Sequence, residues 1–330
     1  MRRTADALGL LAGFALDALV GDPRRGHPVA AYGRAAEALE PRLYAPTRAA
    51  GTRYASVAVG VPVVAAVVVG LATRRRPVAR GVAVATATWT ALGARTLRQE
   101  ATAMAAALER GELAAARERL PHLCGRDPAG LDEPELARAT VESIAENTSD
   151  AVVAPLFWGA VAGLPGLVGY RAANTLDAMV GHRSARYARF GTAAARLDDA
   201  LNLVPSRLTA ALTAAFAPLA NGDAGQALRI WRRDGSRHPS PNAGQCEAAM
   251  AGALGVRLGG RNVYFGRSET RPLLGDGPRP NACDIRRAAA LSSAVGLAAV
   301  ALAASAAAAI GTRRYSGRTR RLTAGETLSG

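Results

Sequence analysis

Hydrophobic and polar positions along this chain are segregated into long apolar runs separated by short, densely polar stretches. Residues Tyr54 to Ala72 carry no charge between Arg53 and Arg74, and Ala288 to Gly311 carry none at all. A helix needs about 20 apolar residues to cross a bilayer, and Arg commonly flanks such helices, so both runs predict spans. Ala5 to Gly21 is apolar but holds Asp6 and Asp17, and Val78 to Leu97 is interrupted by Arg80 and Arg95. Two further runs, Ala151 to Tyr170 and Leu201 to Leu219, contain prolines (Pro155, Pro165, Pro205, Pro218). Proline and glycine are tolerated in membrane helices where neighbours satisfy the freed backbone groups, so these runs predict broken, re-entrant or internally packed helices. Four to six spans are expected. Gln99 to Leu120 predicts an amphipathic helix with acids and bases three or four apart. Leu136 to Ala145 resumes helical spacing, and no strand-like alternation is evident. The fold class expected is all-α: a polytopic membrane helical bundle with broken or re-entrant helices and cytoplasmic loops. It forms one domain over residues 1–311, with a hydrophilic loop at 221–287 and a basic, disordered tail at 312–330.

Composition sharpens this picture. Hydrophobic residues make up 49% but aromatics only 5%, so Ala, Val, Leu and Gly supply the apolar content. Small residues let membrane helices approach closely. The formal charge is +15, and every basic residue is Arg. Without lysine there is no Walker A loop and no lysyl intermediate, so any phosphate must be held by Arg forks, backbone N–H groups or a metal. The Arg residues are dispersed and interleaved with acids, without aromatic-basic or zinc-finger patterns, which argues against nucleic-acid binding. Cys124, Cys246 and Cys283 are too few and scattered for a disulfide framework or a zinc site. The apolar N-terminus lacks a convincing cleavage site and reads as a retained anchor.

Polar residues gather in five clusters, each beside an apolar segment. Gly21-Asp22-Pro23 to His27-Pro28-Val29 follows the first apolar run; Asp22 and His27 face one site or merely end a helix. Glu142, Glu146 and Asp150 recur at i, i+4 and i+8. Helical spacing would stack three carboxylates on one face, an arrangement that repels unless a divalent cation bridges them or the face is solvated. Arg171, Asn174 and Asp177 precede His182, Arg183 and Arg186, a phosphate clamp or an ordinary positive loop. Asp198, Asp199 and Asn202 offer a second metal contact or plain helix-terminal acids. His238, Ser240 and Asn242 sit in a proline-rigidified loop leading to Glu247. No serine elbow or activated cysteine accompanies them.

The runs Gly21-Asp22-Pro23, His27-Pro28-Val29, Glu142 to Asp150, Tyr170 to Asp177, Val180 to Arg183 and Ser240 to Gly244 resemble the adenosylcobinamide-phosphate synthase family, the CobD/CbiB family of cobalamin biosynthesis. The resemblance runs in order from about Ala5 to about Gly311; Ala151 stands where the family commonly has Gly. It implies a multi-pass cell-membrane ligase with a cytoplasmic active site. The enzyme would condense adenosylcobyric acid with (R)-1-amino-2-propanol or its O-phosphate and consume ATP, in the company of membrane lipid and other cobamide-assembly enzymes. On chemical grounds Glu142, Glu146 and Asp150 are expected to hold Mg²⁺, with Asp198 and Asp199 as rival ligands. Arg171, Arg183 and Arg186 would hold phosphates. Glu146, His182, His238 and Asn242 are the catalytic candidates, with either histidine taking the ammonium proton. Asp22, His27, Asn174, Asp177 and Ser240 are the remaining substrate contacts. The competing readings are a transporter for a corrinoid or phosphorylated solute and a noncatalytic membrane scaffold.

Overall fold

The computed structural model describes residues 2–23, 26–182, 184–264 and 267–323. The elements are α1 (Arg2–Val20), α2 (Pro28–Leu43), α3 (Arg48–Ala72), α4 (Pro77–Ala91), α5 (Ala94–Glu109), α6 (Leu113–Arg119), α7 (Glu133–Thr148), α8 (Ala154–Val180), α9 (Thr192–Phe216), α10 (Ala224–Asp234), α11 (Ala243–Leu254), β1 (Leu258–Tyr264), β2 (Arg267–Leu274) and α12 (Ala282–Thr323). Among the described residues, four helical stretches are long and apolar enough to cross a membrane: Arg48–Ala72, Glu133–Val180, Thr192–Ala220 and Ala282–Ala309. The chain is thus an all-α polytopic membrane protein, with broken helices as the sequence predicts.

Packing follows membrane logic. Along α3 the small residues Ala50, Gly51, Ala55, Ala58 and Ala66 are buried, whereas Val57, Val61, Val64 and Val68 point outward. Large aliphatics face out because lipid is as apolar as any core, and small residues face in because they let helices approach. The same rule joins α1 to α4. A Cβ on Gly9 would lie 2.7 Å from the Val84 Cβ, and one on Gly13 2.4 Å from the Thr88 Cβ. That contact also answers the charges in the two weaker apolar runs. Arg80 Nε and Nη2 donate to Asp6 at 2.6 and 3.0 Å. Arg95 donates its backbone N–H to Asp17 at 3.2 Å and its guanidinium to the carbonyls of Ala18 and Leu19 at the end of α1. Each charge is a defect alone and is matched once the helices pack.

The run Ala151 to Tyr170 folds back on itself. Between α7 and α8 lies one π-helical turn, Ser149–Val153. Within α8, Gly163 takes φ 68°, ψ −152° just before Pro165, a conformation open to glycine and to almost no other residue. The Tyr170 hydroxyl reaches the Asp150 carbonyl at 3.2 Å across 20 residues, a stretch that would measure about 30 Å as a straight helix. Residues 133–180 are therefore not one span but a helical hairpin with its turn at Gly163. Asp150 precedes that turn by 13 residues and Asp177 follows it by 14, which sets both about 20 Å from it along the two limbs.

Three expectations need correction. The tail expected to be disordered from residue 312 instead continues α12 to Thr323. The helix expected over Gln99 to Leu120 is two, α5 and α6, separated at Gly111. The hydrophilic stretch 221–287 is not a loop: it holds α10, α11 and an antiparallel pairing of β1 with β2. Those strands lack alternation because Gly259 and Gly260 open β1 at an irregular register, and side chains elsewhere anchor the pair. Arg138 on α7 donates to the carbonyls of Gly259 (2.7 Å) and Arg261 (2.9 Å) and to the Asn262 amide oxygen (2.8 Å).

Candidate active site

A polar cavity of about 350 Å³ opens where α7, α8, α9, α11 and β2 meet. Its walls carry Glu146 and Asp150 from the α7 side, Asp177 from the end of α8, and Asp198, Asp199, Asn202 and Ser206 from α9. His238, Ser240 and Asn242 arrive from the loop before α11, and Arg271 from β2. The Gly163 turn brings the two limbs of the hairpin level, which joins the second cluster to the third. The π turn Ser149–Val153 carries Ser149 and Asp150, which line the cavity together with Glu146, whereas Glu142 does not.

Hydrogen bonds fix one side of the cavity. Asp198 accepts from the Asn174 amide at 3.2 Å and the Asn202 amide at 3.1 Å, and the Asn202 oxygen lies 3.0 Å from the Tyr170 hydroxyl. The Asn242 amide donates to the Asp199 carbonyl at 2.8 Å, while its oxygen accepts from Ser206 at 3.2 Å. The Ser240 hydroxyl accepts the backbone N–H groups of Asn242 and Ala243 and so shapes the loop. Asp150 and Asp177 differ: among the described residues neither carboxylate accepts a hydrogen bond from a protein donor, and Glu146 meets only the buried carboxyl of Glu247. Asp177 lies directly over Gly181, where a Cβ would come within 1.7 Å of its Oδ1.

His238 is held in a defined tautomer. The Ser240 backbone N–H donates to Nδ1 at 3.0 Å, so the neutral ring carries its proton on Nε2. That nitrogen has no hydrogen-bond partner and lies 3.9 Å from Glu247 Oε1. Burial, helped by the Arg271 charge, pushes the His238 pKa below its ordinary value. Glu247 is fully buried; burial with Glu146 and Glu142 alongside lifts its carboxyl well above the usual carboxylate range.

Several expected partners lie elsewhere. Glu142 accepts from Arg126, from Arg138 at 3.3 Å and from the Gly259 N–H at 2.7 Å. It is saturated by these donors and faces the β1–β2 anchor, away from the cavity. Arg186 pairs with Glu40 at 2.7 Å and sits over the Tyr44 ring at 4.2 Å, outside the cavity. His182 is exposed, edge-on to Tyr187 at 5.0 Å between ring centres, and does not line the cavity. Arg183 lies outside the described residues. Arg171 donates to Asn174 at 3.3 Å and senses both Asp22 and Asp150. It borders a separate apolar cavity of about 210 Å³. Asp22 accepts from Thr96 at 2.6 Å and stands 3.6 Å from His27; neither of the two lines the polar cavity. Arg171 and Arg186 therefore do not meet at one site, and among the described residues no three His, Cys, Asp or Glu groups converge to cage one metal ion. Ser206, Cys246 and Arg271 are cavity residues that no motif in the sequence flagged, and Ser149 sits inside the Glu142–Asp150 run without having been given a role.

The comparisons with known proteins agree with this arrangement. The family model described as CobD/Cbib protein matches residues 10–292. The chain belongs to the CobD/CbiB family. The cobalamin biosynthesis protein CobD of Mycobacterium tuberculosis (strain ATCC 25618 / H37Rv) is 52% identical over 298 residues, which cover 90% of this chain and 94% of that protein. Proteins of the same name from Geobacter metallireducens (48% over 276 residues, 82% of this chain and 87% of the relative) and Stutzerimonas stutzeri (45% over 284 residues, 85% and 91%) are also similar. No solved structure matches the chain. Membership of the CobD/CbiB family assigns the chain to cobalamin biosynthesis and to corrinoid-related substrates.

Proposed function

We propose that this chain is an amide-forming ligase that joins adenosylcobyric acid to (R)-1-amino-2-propanol or its O-phosphate at the expense of ATP. The observation that carries the reading is the convergence of four separate motifs on one polar cavity in a lipid-embedded scaffold. A carboxylate does not acylate an amine unaided, because oxide is its leaving group. Attack of the corrinoid carboxylate on the terminal phosphorus of ATP releases ADP and gives an acyl phosphate. The amine nitrogen then attacks the acyl carbon, phosphate departs, and the nitrogen loses a proton. Positioning and charge neutralisation are the protein's share of this chemistry.

The residues present fit a magnesium ion brought with ATP, since Mg²⁺ is commonly held by one or two carboxylates plus phosphate oxygens. Asp198, oriented by Asn174 and Asn202, and Asp199, reached by the Asn242 amide at 3.5 Å, are the side chains that would hold it, and it would neutralise charge on the transferring phosphoryl group. Glu142 has no free oxygen for that role. Because the neutral His238 ring bears its proton on Nε2, it acts as a donor toward developing negative charge. The proton lost by the amine goes instead to a cavity carboxylate, Glu146.

The cavity lies at the end of the bundle that carries the Arg-rich segments around residues 184–196 and 229–237. ATP is available in the cytosol, so an ATP-consuming cavity assigns this end to the cytosolic side; the Arg74–Arg76 run at the Gly163 end makes the charge bias alone indecisive. Incubating purified protein with ATP, cobyric acid and either amine tests the reading. A product with the mass of the new amide is expected; movement of solute across vesicles without that product would establish transport instead.

A further inference from the structure

We propose that Glu146, Asp150 and Asp177 form a subsite for the ammonium group of a small primary amino alcohol, whose hydroxyl is read by Ser149 and His238. This rests on the amide-forming reaction above and locates one of its substrates.

The charge of the cavity is the starting point. Five carboxylates line it, with Arg271 the one guanidinium among the lining residues. Such a wall selects a cation. The five acids fall into two sets by their partners. Asp198 and Asp199 are engaged by Asn amides. Asp150 and Asp177 have no protein donor among the described residues, Glu146 meets only the Glu247 carboxyl, and Asp150 lies within electrostatic reach of the other two. An alkylammonium presents three N–H donors and no acceptor, which matches three carboxylates that accept from no guanidinium or amide. Among the described residues these three do not form a three-ligand metal cage. A magnesium ion needs oxygens at about 2.0–2.1 Å, whereas N⁺–H···O⁻ contacts run to about 2.7–2.9 Å and tolerate a wider ring.

A second observation is independent of charge. Two cavity-lining polar atoms are buried without any partner: the Ser149 hydroxyl, on a residue 2% exposed, and His238 Nε2, on a side chain 3% exposed. Buried polar atoms left unpaired are costly, so both await a ligand atom or water. With Nδ1 occupied by the Ser240 N–H, Nε2 is a donor, while a serine oxygen can accept. A ligand hydroxyl satisfies both at once.

The test is binding to the full-length detergent-solubilised protein without ATP, by calorimetry. The probes are 1-amino-2-propanol, propylamine and 1,2-propanediol, with MgCl₂ as competitor. Aminopropanol should bind at least tenfold more tightly than propylamine, and propanediol should not bind measurably. Asp177→Asn should weaken aminopropanol at least tenfold, and Ser149→Ala should erase the preference over propylamine. Glu112→Gln, on the exposed surface, serves as the unaltered control. Equal binding of propanediol, or competitive displacement of the amine by Mg²⁺ alone, overturns the subsite, and both are read on the unmutated protein. The two proposals separate cleanly. Amine binding without amide formation rejects the reaction and keeps the subsite; turnover with an unchanged KM for amine in Asp177→Asn rejects the subsite and keeps the reaction.

Discussion

His27 and His238 occupy the same local frame at opposite ends of the sequence. Each precedes a proline, accepts at Nδ1 the backbone N–H of the residue two positions on (3.2 and 3.0 Å), and turns Nε2 toward a carboxylate, Asp22 at 3.6 Å and Glu247 at 3.9 Å. The second is buried, and its pH response follows. A histidine with a lowered folded pKa contributes stability above its ordinary value that is lost as pH falls toward the folded value. Acidification from about pH 7 to about pH 5 should therefore lower the thermal midpoint, and His238→Gln should flatten that decline. An unchanged slope in the variant removes His238 as the cause.

Glu247 carries the opposite sign. A raised folded pKa contributes stability present at low pH and lost as pH rises through the raised value. Glu247→Gln should therefore match the parent protein at acidic pH and equal or exceed its stability at pH 8. Lower stability at both ends would show that the carboxyl is held by an ionic contact.

Glu142 and Glu146 lie one helical turn apart and should respond differently to the same change. Glu142→Gln strips a buried anion from Arg126 and Arg138, a loss of about 3–5 kcal/mol where a buried pair is broken. Glu146→Gln should leave thermal unfolding nearly unchanged and abolish amide formation. Near-normal turnover in Glu146→Gln would discard its assigned role.

Gly163→Ala should be poorly tolerated, because φ 68°, ψ −152° lies in a region almost closed to residues with a Cβ. A cost of at least about 1–3 kcal/mol is expected, with loss of activity through the displaced limbs of the hairpin. Wild-type melting and turnover in this variant would show that the turn re-forms without glycine.

Single cysteines at Ala185 and Arg75, in a background lacking Cys124, Cys246 and Cys283, test the orientation. Ala185 lies beyond Gly181 at the cavity end, and Arg75 in the α3–α4 connection at the Gly163 end, next to the Arg80 helix. They should label from opposite sides of the membrane, Ala185 from the cytosol. Labelling from one side would mean that α3 does not cross.

Much of this architecture is visible in local pattern. The uncharged run of α3, the prolines and glycines of the folded-back segment, and the acidic, Asn and His motifs are all contiguous in sequence. What local pattern misreads depends on distant partners. Glu142 looked equivalent to Glu146 until Arg126 and the Gly259 N–H filled its oxygens, and Arg186 looked like a phosphate ligand until Glu40, 146 residues away, took it. The π turn at Ser149–Val153 changes which side chains share a face, and residue spacing alone does not announce it. The β1–β2 pair stayed hidden because its stability comes from Arg138 and not from alternation.

The Asp6–Arg80 contact has a bearing on biogenesis. Asp6 lies near the start of α1 and Arg80 in the first turn of α4, and either charge buried without the other would be strongly destabilising. Here α1 is synthesised more than fifty residues before its counter-ion on α4 emerges. The carboxylate of the first helix is therefore matched only after the fourth has been made, so the two helices complete their burial together and one ion pair couples the start of the chain to a segment more than fifty residues later.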